Sequence, residues 1–231
     1  MQARIWFWLW LIMPALVGWY AQRRLRRTYA RWATVRNGRG ILGADLAEAL
    51  IAWLGLQDVH IALLLGRTGD HYDPADHTLV LSEEQATSDS VTALGIVAHE
   101  VLHAQQDAEN YPLMRLRAWL GGRVGRYAGI SMGVVGLGLV LRSPVVLALG
   151  LALVLALLLL GIVALPVERN ASRRALEALR ASGLAAEQDL EGARQVLQAA
   201  ALTYLAGLLQ NLGYLALVVM ALAMARSWSG G

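Results

Sequence analysis

The stretch "LLLLGIVALPVERNASRRALEAL", from Leu157 to Leu179, passes from an uninterrupted apolar run into a charged, helix-forming one. Its first half belongs to a longer run, Val145–Val167, which is long enough to cross the roughly 30 Å hydrocarbon core of a bilayer as a helix. Pro166 marks the change of character, and Glu168 is the first ionisable residue after it. The stretch therefore predicts a membrane-spanning helix that continues into a polar, water-facing segment.

The composition of the whole chain agrees with a membrane protein. Of its 231 residues, 57% are hydrophobic and 16% are charged, whereas soluble domains carry about 25% charged residues. The balance predicts several membrane spans beside a modest polar domain. The chain has no cysteine, which excludes disulfides, thiolate metal ligands and cysteine nucleophiles.

Three other apolar runs are candidate spans, namely Ile5–Tyr20, Tyr127–Leu141 and Leu202–Ala225. Tyr127–Leu141 is short and rich in glycine, and Arg142-Ser143-Pro144 separates it from the run in the opening stretch, so the pair predicts a helical hairpin. Ile5–Tyr20 lacks a small-residue cleavage site, and arginines follow it rather than precede it. We therefore expect a retained anchor and not a cleaved signal peptide.

The basic residues, all of them arginine, predict the orientation. Only Arg4, Arg142 and Arg226 would lie on the outer side of a four-span chain, and positive residues concentrate on the cytoplasmic side of membrane proteins. Both termini are then outside. The arginine clusters are explained by this topology and by lipid headgroups, so no nucleic-acid partner is expected.

These observations predict an α-rich integral membrane protein with about four transmembrane helices and a small cytoplasmic α+β domain. The expected segments are an N-terminal anchor at 1–20, a cytoplasmic domain at 21–126, a membrane hairpin at 127–167, a cytoplasmic helical segment at 168–201, a last span at 202–225 and a tail at 226–231.

Within the first cytoplasmic segment, periodicity predicts two helices and two strands. They are the helix Leu42–Leu54 ending at Gly55, the strands Asp58–Leu65 and Thr78–Leu81 joined by the turn-rich "GRTGDHYDPADH", and the helix Ser88–Asp107 capped by Ser88 or Asp89. The second cytoplasmic segment is expected to be helical from about Pro166, to break at "SGLAAEQDLEG" and to resume from Ala193.

The helix Ser88–Asp107 contains "GIVAHEVLHAQQD", from Gly95 to Asp107. His99 and His103 lie one turn apart on the same face, so both rings can point a nitrogen at one zinc ion. Glu100 flanks them and can act as a general base toward water that the zinc acidifies. The pattern therefore predicts a catalytic zinc site.

A catalytic zinc usually has three protein ligands and one open position, so a further ligand must come from elsewhere. Gln106 and Asn110 stand where the extended pattern H-E-x-x-H-x-x-G-x-x-H would place its glycine and third histidine. The ligand is then a carboxylate or a distant histidine. Topology favours Glu168, which emerges on the same side as His99, although an acid there is also explained as a helix-start charge stabilised by the macrodipole.

Four separated blocks of the chain carry a family resemblance: "GDHYDPADHTLVLSEE", "AHEVLHAQQDAENYPLMRLR", "LPVERNASRRALEAL" and "ARQVLQAAALTYLAGLL". In this order they resemble the bacterial neutral zinc metallopeptidases of the YugP type. The resemblance implies a zincin-like, membrane-bound peptidase with His99, His103 and Glu168 as zinc ligands and Glu100 as general base. More distantly, the chain is similar to the HtpX and CAAX-prenyl peptidases, where an aspartate stands at the position of Ser172.

Other residues are weaker candidates for the second shell of the metal, substrate binding or an oxyanion site. His71, Tyr72 and Asp73 precede the strand Thr78–Leu81, and they either line a peptide cleft or form an Asp-Pro turn with local hydrogen bonds. His60 and His77 are expected at strand edges in solvent.

Asn170, Ser172 and Arg173 follow Glu168 and are candidates for the second shell of the metal or for binding a substrate carboxylate. Tyr204 opens the last span. It either polarises a scissile carbonyl or is an aromatic residue of the membrane interface.

The sequence thus predicts an integral zinc endopeptidase of the cytoplasmic membrane, with one Zn²⁺ and with polypeptide substrates and the lipid bilayer as partners. Two alternatives remain open at this point. One is a non-catalytic zinc-binding membrane scaffold, and the other is a zinc hydrolase of a non-peptide lipid substrate.

Overall fold

The computed structural model describes residues 2–66 and 69–225, apart from the side chains of residues 2–9, 11, 221 and 223–225. The expected tail at 226–231, with Arg226, lies outside the described residues. The described chain is mostly helical and contains one small sheet, as the composition predicted.

The helices and strands are, in chain order, α1 Gln2–Ala33, α2 Gly43–Leu54, β1 His60–Leu64, β2 His71–Asp73, β3 Thr78–Ser82, α3 Glu83–Ala86, α4 Val91–Ala108, α5 Pro112–Val124, a 3₁₀ helix Gly125–Ile130, α6 Ser131–Val140, α7 Pro144–Ala181 and α8 Glu187–Ala225. They fall into two compact units. One contains the chain up to Gln22, Leu116–Leu165 and the chain from Thr203 on; the other contains Arg23–Arg115 and Pro166–Leu202.

The sheet lies in the second unit and has the order β1-β3-β2. β1 pairs with β3 in parallel, and β2 pairs with β3 in antiparallel fashion. β2 was not predicted: its residues were read as part of a turn-rich connection. The side chain of Asp70 accepts hydrogen bonds from the backbone N–H and the hydroxyl of Ser82, at 2.8 and 2.9 Å, and so holds the start of β2 against the end of β3.

The core of the second unit surrounds α4. Val97, Ala98, Val101 and Leu102 of this helix are at most 1% exposed, and they pack with α2, the sheet and α7. The N-cap is Ser90 rather than the predicted Ser88 or Asp89, because the Ser90 hydroxyl accepts a hydrogen bond from the N–H of Ala93. This bond satisfies one of the unpaired donors at the start of the helix.

The polar segment after Pro166 does not start a separate helix, because α7 runs unbroken from Pro144 to Ala181. The break predicted at "SGLAAEQDLEG" is shorter than expected, and α8 begins at Glu187 instead of Ala193. The reason is the carboxylate of Asp189. It accepts hydrogen bonds from the N–H groups of Ala186, just before α8, and of Gly38, and so caps the start of the helix.

Two helices, α7 and α8, are long and apolar enough to cross a membrane, with mean hydropathy of 3.1 and 1.5 over their most apolar windows. Only 28% and 22% of those windows are buried within the protein, whereas the core helix of a soluble protein would be mostly buried. The described residues therefore support two of the four expected spans.

The expected span Tyr127–Leu141 is not a single helix, since its chain forms part of the 3₁₀ helix and then α6. The ten residues of α6 rise about 15 Å, half the thickness of a bilayer core. Ile5–Tyr20 is helical within α1, and the side chains of Ile5–Leu9 and Leu11 in this expected span lie outside those that the structure describes.

Within the first unit, α6 and α7 pack closely because two glycines lie at their contact. A Cβ atom at Gly150 would lie 2.6 Å from Cγ2 of Val135, and one at Gly138 would lie 2.8 Å from the backbone nitrogen of Leu147. Small residues that allow such backbone approach are typical of helix contacts in membranes.

Candidate metal centre

Helix α4 presents polar residues on two different faces. His99, His103 and Gln106 follow the spacing i, i+4, i+7 and face α7, while Glu100 and Asp107, seven residues apart, face β2. Seven residues make about two turns of an α-helix, so residues seven positions apart lie on the same face.

His99 and His103 meet Glu168 of α7 inside the second unit. Nε2 of His99 lies 3.1 Å from Oε2 of Glu168, and Nε2 of His103 lies 3.6 Å from Oε1. One ligand atom from each residue can be chosen so that all three lie within 4.8 Å of one another. His103 and Glu168 are 3% and 2% exposed and the His99 side chain is 12% exposed, so the three groups form a compact, largely buried cluster.

The outer nitrogen of each imidazole has its own partner. Nδ1 of His99 lies 3.2 Å from the hydroxyl of Ser172, and Nδ1 of His103 lies 2.9 Å from Oε1 of Gln106. Both rings therefore turn Nε2 toward Glu168. In metal sites, the ring nitrogen of a histidine that does not bind the metal is ordinarily hydrogen-bonded to another group in this way.

The donor set of the cluster fits a zinc ion. Two imidazole nitrogens and one carboxylate are one of the common protein ligand sets of catalytic zinc, and they leave a fourth position open. A divalent cation would also compensate the buried carboxylate, whose desolvation is costly without a positive partner. His99, His103 and Glu168 are thus residues that could hold the metal.

Comparison with known proteins points to a zinc-dependent family. The family model described as "Putative neutral zinc metallopeptidase" matches residues 7–223. The chain belongs to this family. It is 32% identical over 213 residues to "Putative membrane protease YugP" of Bacillus subtilis (strain 168), which covers 92% of this chain and 95% of that relative. No solved structure matches the chain.

The family resemblance predicted from the four sequence blocks is therefore confirmed. The name of the relative and the two apolar helices α7 and α8 also indicate membrane association.

Glu100, the expected general base, contacts the sheet. Its Oε2 accepts a hydrogen bond of 3.2 Å from the backbone N–H of Tyr72. Since β2 is at the edge of the sheet, this N–H points away from β3 and toward α4. The carboxylate of Glu100 thus lies against the outer edge of β2.

The phenol of Tyr72 is engaged further along α4. Its hydroxyl donates to Oδ2 of Asp107 at 2.9 Å and lies 3.0 Å from Nδ1 of His77. Burial, followed by the hydrogen bond and charge of Asp107, raises the pKa of the Tyr72 hydroxyl far above its ordinary value. His77, which was expected in solvent at a strand edge, has a half-exposed side chain that also contacts Tyr72 and Asp107.

Tyr29 of α1 was not singled out from the sequence. Its backbone carbonyl accepts a hydrogen bond from the Thr92 hydroxyl at the start of α4. Burial raises the pKa of its phenol to about 12, and the negative charges of Glu100 and Asp70 contribute in the same direction. The tyrosine is therefore within electrostatic reach of the expected general base.

The remaining candidates have more local contacts. Nδ1 of His71 lies 2.8 Å from the Gly69 carbonyl, and Asp73 accepts a hydrogen bond from the N–H of Ala75, as in an Asp-Pro turn. Arg173 pairs with Glu177 one turn along the exposed side of α7. Tyr204 is half-buried on α8 in the first unit.

Asn170 and Ser172, both candidates from the sequence, do contact the surroundings of the cluster. Ser172 faces His99, and the side-chain oxygen of Asn170 accepts a hydrogen bond from Gln106. Gln106 itself was noted from the sequence only as the residue that replaces a glycine. Its spacing from His99 and His103 was the signal that could have identified it.

Proposed function

We propose that this chain is a zinc-dependent endopeptidase of the cytoplasmic membrane that hydrolyses membrane or juxtamembrane polypeptides. The observation that carries the proposal is the convergence of His99, His103 and Glu168 within 4.8 Å in a member of a zinc metallopeptidase family. These residues would hold one zinc ion. Bound zinc supplies Lewis acidity and makes water acidic enough to ionise near neutral pH.

Glu100 is the general base in this proposal. Its carboxylate is adjacent in sequence to His99 and turns toward β2 rather than toward α7, so it is available for proton transfer instead of metal binding. It would accept a proton from the attacking water and pass it to the nitrogen of the leaving amine. Peptide-bond hydrolysis needs both transfers, and one carboxylate can perform them in succession.

The free edge of β2 would bind the substrate backbone. Its N–H at Tyr72 faces Glu100, and an extended peptide that paired with this edge would place its backbone beside the general base. Substrate binding would replace the Tyr72–Glu100 hydrogen bond. This arrangement favours a peptide over a compact lipid substrate.

The proposed topology has four crossings, with both termini outside and residues 21–126 and 168–201 in the cytoplasm. Two arguments support this topology: the distribution of the arginines, and the way in which the chain must connect α7 to the preceding cytoplasmic segment. If α7 crosses the membrane and Glu168 shares a side with His99, then Ser143 is on the opposite side, and the chain between Arg126 and Ser143 must also cross. The 3₁₀ helix and α6 together rise about 27 Å, close to a bilayer core.

A Glu100→Gln variant tests the catalytic proposal. The purified full-length protein should retain zinc and lose proteolysis of an unfolded membrane-protein substrate by at least about 100-fold, since a positioned acid–base group contributes roughly 10²–10⁴-fold. Glu48→Gln, on the exposed side of α2, is the matched control and should cleave as the wild type does.

Other outcomes would favour the alternatives. A scaffold would show no cleavage in either the wild type or the Glu100→Gln variant. A non-peptide hydrolase would leave peptides intact and lose activity toward lipid esters upon the Glu100→Gln substitution.

A further inference from the structure

Gln106 is a fully buried polar residue, 0% exposed, that lies one turn beyond His103 on α4. We propose that Gln106 is a positioning residue, whose single side-chain amide fixes both the ring of His103 and the turn of α7 that carries Glu168. The inference rests on the proposed zinc site and adds a determinant of its affinity.

The hydrogen-bond partners fix the orientation of the amide. Nε2 of Gln106 donates to the carbonyl oxygen of Val167 at 3.1 Å and to Oδ1 of Asn170 at 2.9 Å. A backbone carbonyl only accepts, so the NH₂ group must face α7. Oε1 of Gln106 is then the atom that faces His103.

This orientation fixes the tautomer of His103. Oε1 of Gln106 is only an acceptor, and it lies 2.9 Å from Nδ1 of the ring, so Nδ1 must carry the proton. Nε2 of the neutral ring then presents its lone pair toward Glu168. The amide therefore prepares His103 in the form that a metal requires.

The same amide restrains the third ligand. Val167, whose carbonyl accepts from Gln106, directly precedes Glu168 in α7. The bond therefore ties the backbone next to Glu168 to the helix that carries both histidines. Loss of the amide would loosen the ring of His103 and the approach of Glu168 together.

Ser172 does not duplicate this role at His99. A hydroxyl is both donor and acceptor, so the contact of 3.2 Å with Nδ1 of His99 is compatible with either tautomer. Among the described contacts of the two histidines, the one with Gln106 is the contact that imposes a single proton position.

The test compares Gln106→Met with Gln105→Met, the same change at the neighbouring position of α4, in the full-length protein in detergent. Zinc affinity is measured by competition with a chromogenic chelator, and the thermal midpoint is measured on the zinc-free protein. We expect Gln106→Met to bind zinc roughly 10–100-fold more weakly, as for other groups that orient metal ligands, and Gln105→Met to bind as the wild type does. Unchanged affinity in the folded Gln106→Met variant would overturn the inference.

Gln106→Glu keeps an oxygen toward His103 but loses the paired donors toward α7. We expect zinc affinity between those of the wild type and Gln106→Met. If Gln106→Met does not fold, this variant decides: several-fold weaker binding supports the inference, and wild-type affinity contradicts it.

Histidine ¹⁵N NMR of the zinc-free protein, which has five histidines, gives a readout that a merely structural role would not change. The His103 ring should carry its proton on Nδ1 in the wild type and become a mixture of tautomers in Gln106→Met. A wild-type ring protonated on Nε2 would contradict the inference.

The zinc site itself is checked by His103→Ala. Failure of wild-type protein to bind zinc, or equal binding by His103→Ala, would remove the proposed function. Zinc binding that depends on His103 but not on Gln106 would remove only the positioning role.

Discussion

Both histidines of the cluster turn their outer nitrogens to uncharged partners, a hydroxyl from Ser172 and an amide from Gln106. A neutral partner orients a ring without adding negative charge to a centre that already contains the Glu168 carboxylate. Orientation, not charge, is then the main contribution of these two residues.

Replacement of Ser172 separates these contributions. Ser172→Ala removes the partner of His99, and we expect zinc affinity to fall by about tenfold or more. Ser172→Asp restores an acceptor and should hold zinc more tightly than Ser172→Ala. Chelator competition at fixed pH measures both; equal affinity of Ser172→Ala and wild-type protein would contradict a role for the hydroxyl.

Tyr29 makes a prediction about stability in alkali. Its pKa is about 12 in the folded protein and about 10 in an unfolded chain. Above pH 10 the unfolded chain gives up this proton first, so the contribution is complete below pH 10 and is lost as the pH rises toward 12. The loss is at most about 1.4 kcal/mol per pH unit for one group.

The chain has no lysine or cysteine, so tyrosines dominate its titration in this range. Denaturant unfolding of wild type and Tyr29→Phe between pH 9 and 12 gives the comparison. We expect a shallower decline of the unfolding free energy in the variant; parallel curves would show that the Tyr29 pKa is not raised.

At the scale of the helices and strands, local pattern predicted α2, β1, β3 and α4 to within about three residues, and it failed at β2. A strand of three residues is too short to show the alternation of apolar and polar residues by which strands are recognised. The glycine- and proline-containing sequence around it is typical of turns. What makes His71–Asp73 a strand is its pairing with β3 and its hydrogen bond to α4. The start of α8 was missed for a similar reason, since Asp189 caps it together with Gly38, from a distant part of the chain.

The packing of α8 in the second unit depends on Gly192. A Cβ atom there would lie 2.6 Å from Cγ1 of Val91 and 2.8 Å from the ring of Trp32. We expect Gly192→Ala to lower the free energy of unfolding by about 1–3 kcal/mol, because neither neighbour can move easily in a packed core. Thermal unfolding in detergent measures the effect.

Gly207, in the same helix, is the matched control. A Cβ atom at Gly207 meets nothing within 4 Å, so Gly207→Ala should change the thermal midpoint little. Helix propensity favours alanine over glycine, so an equal loss of stability in the two variants would show that close packing at Gly192 is not the cause.

At the scale of the whole molecule, the proposed topology places Ser143 outside and Ala181 in the cytoplasm. Because the chain has no cysteine, Ser143→Cys and Ala181→Cys each introduce a unique thiol. A membrane-impermeant maleimide should label the first in intact cells and the second only after permeabilisation. Labelling of position 181 from outside would contradict the orientation, and with it the cytoplasmic position of the cluster.

Features that depend on neighbouring residues could be predicted from the chain alone: the apolar helices α7 and α8, the helix that carries His99, Glu100 and His103, and the family. These follow from composition, helical period and motif spacing, which are local properties. From the residues alone, Glu168 was one of two interpretations, reached through the side of the membrane on which it emerges, and the family resemblance then implied it as the third ligand.

The groups that surround the cluster of His99, His103 and Glu168 became apparent from the folded structure. Gln106 in contact with α7, Tyr72 beside Glu100 and Tyr29 within reach of the same carboxylate belong to segments that meet through packing. A hydrogen bond between segments that are dozens of residues apart does not require any particular spacing of residues along the chain. It therefore leaves no periodic signal in a single sequence, and it appears only once the helices and the sheet have assembled around α4.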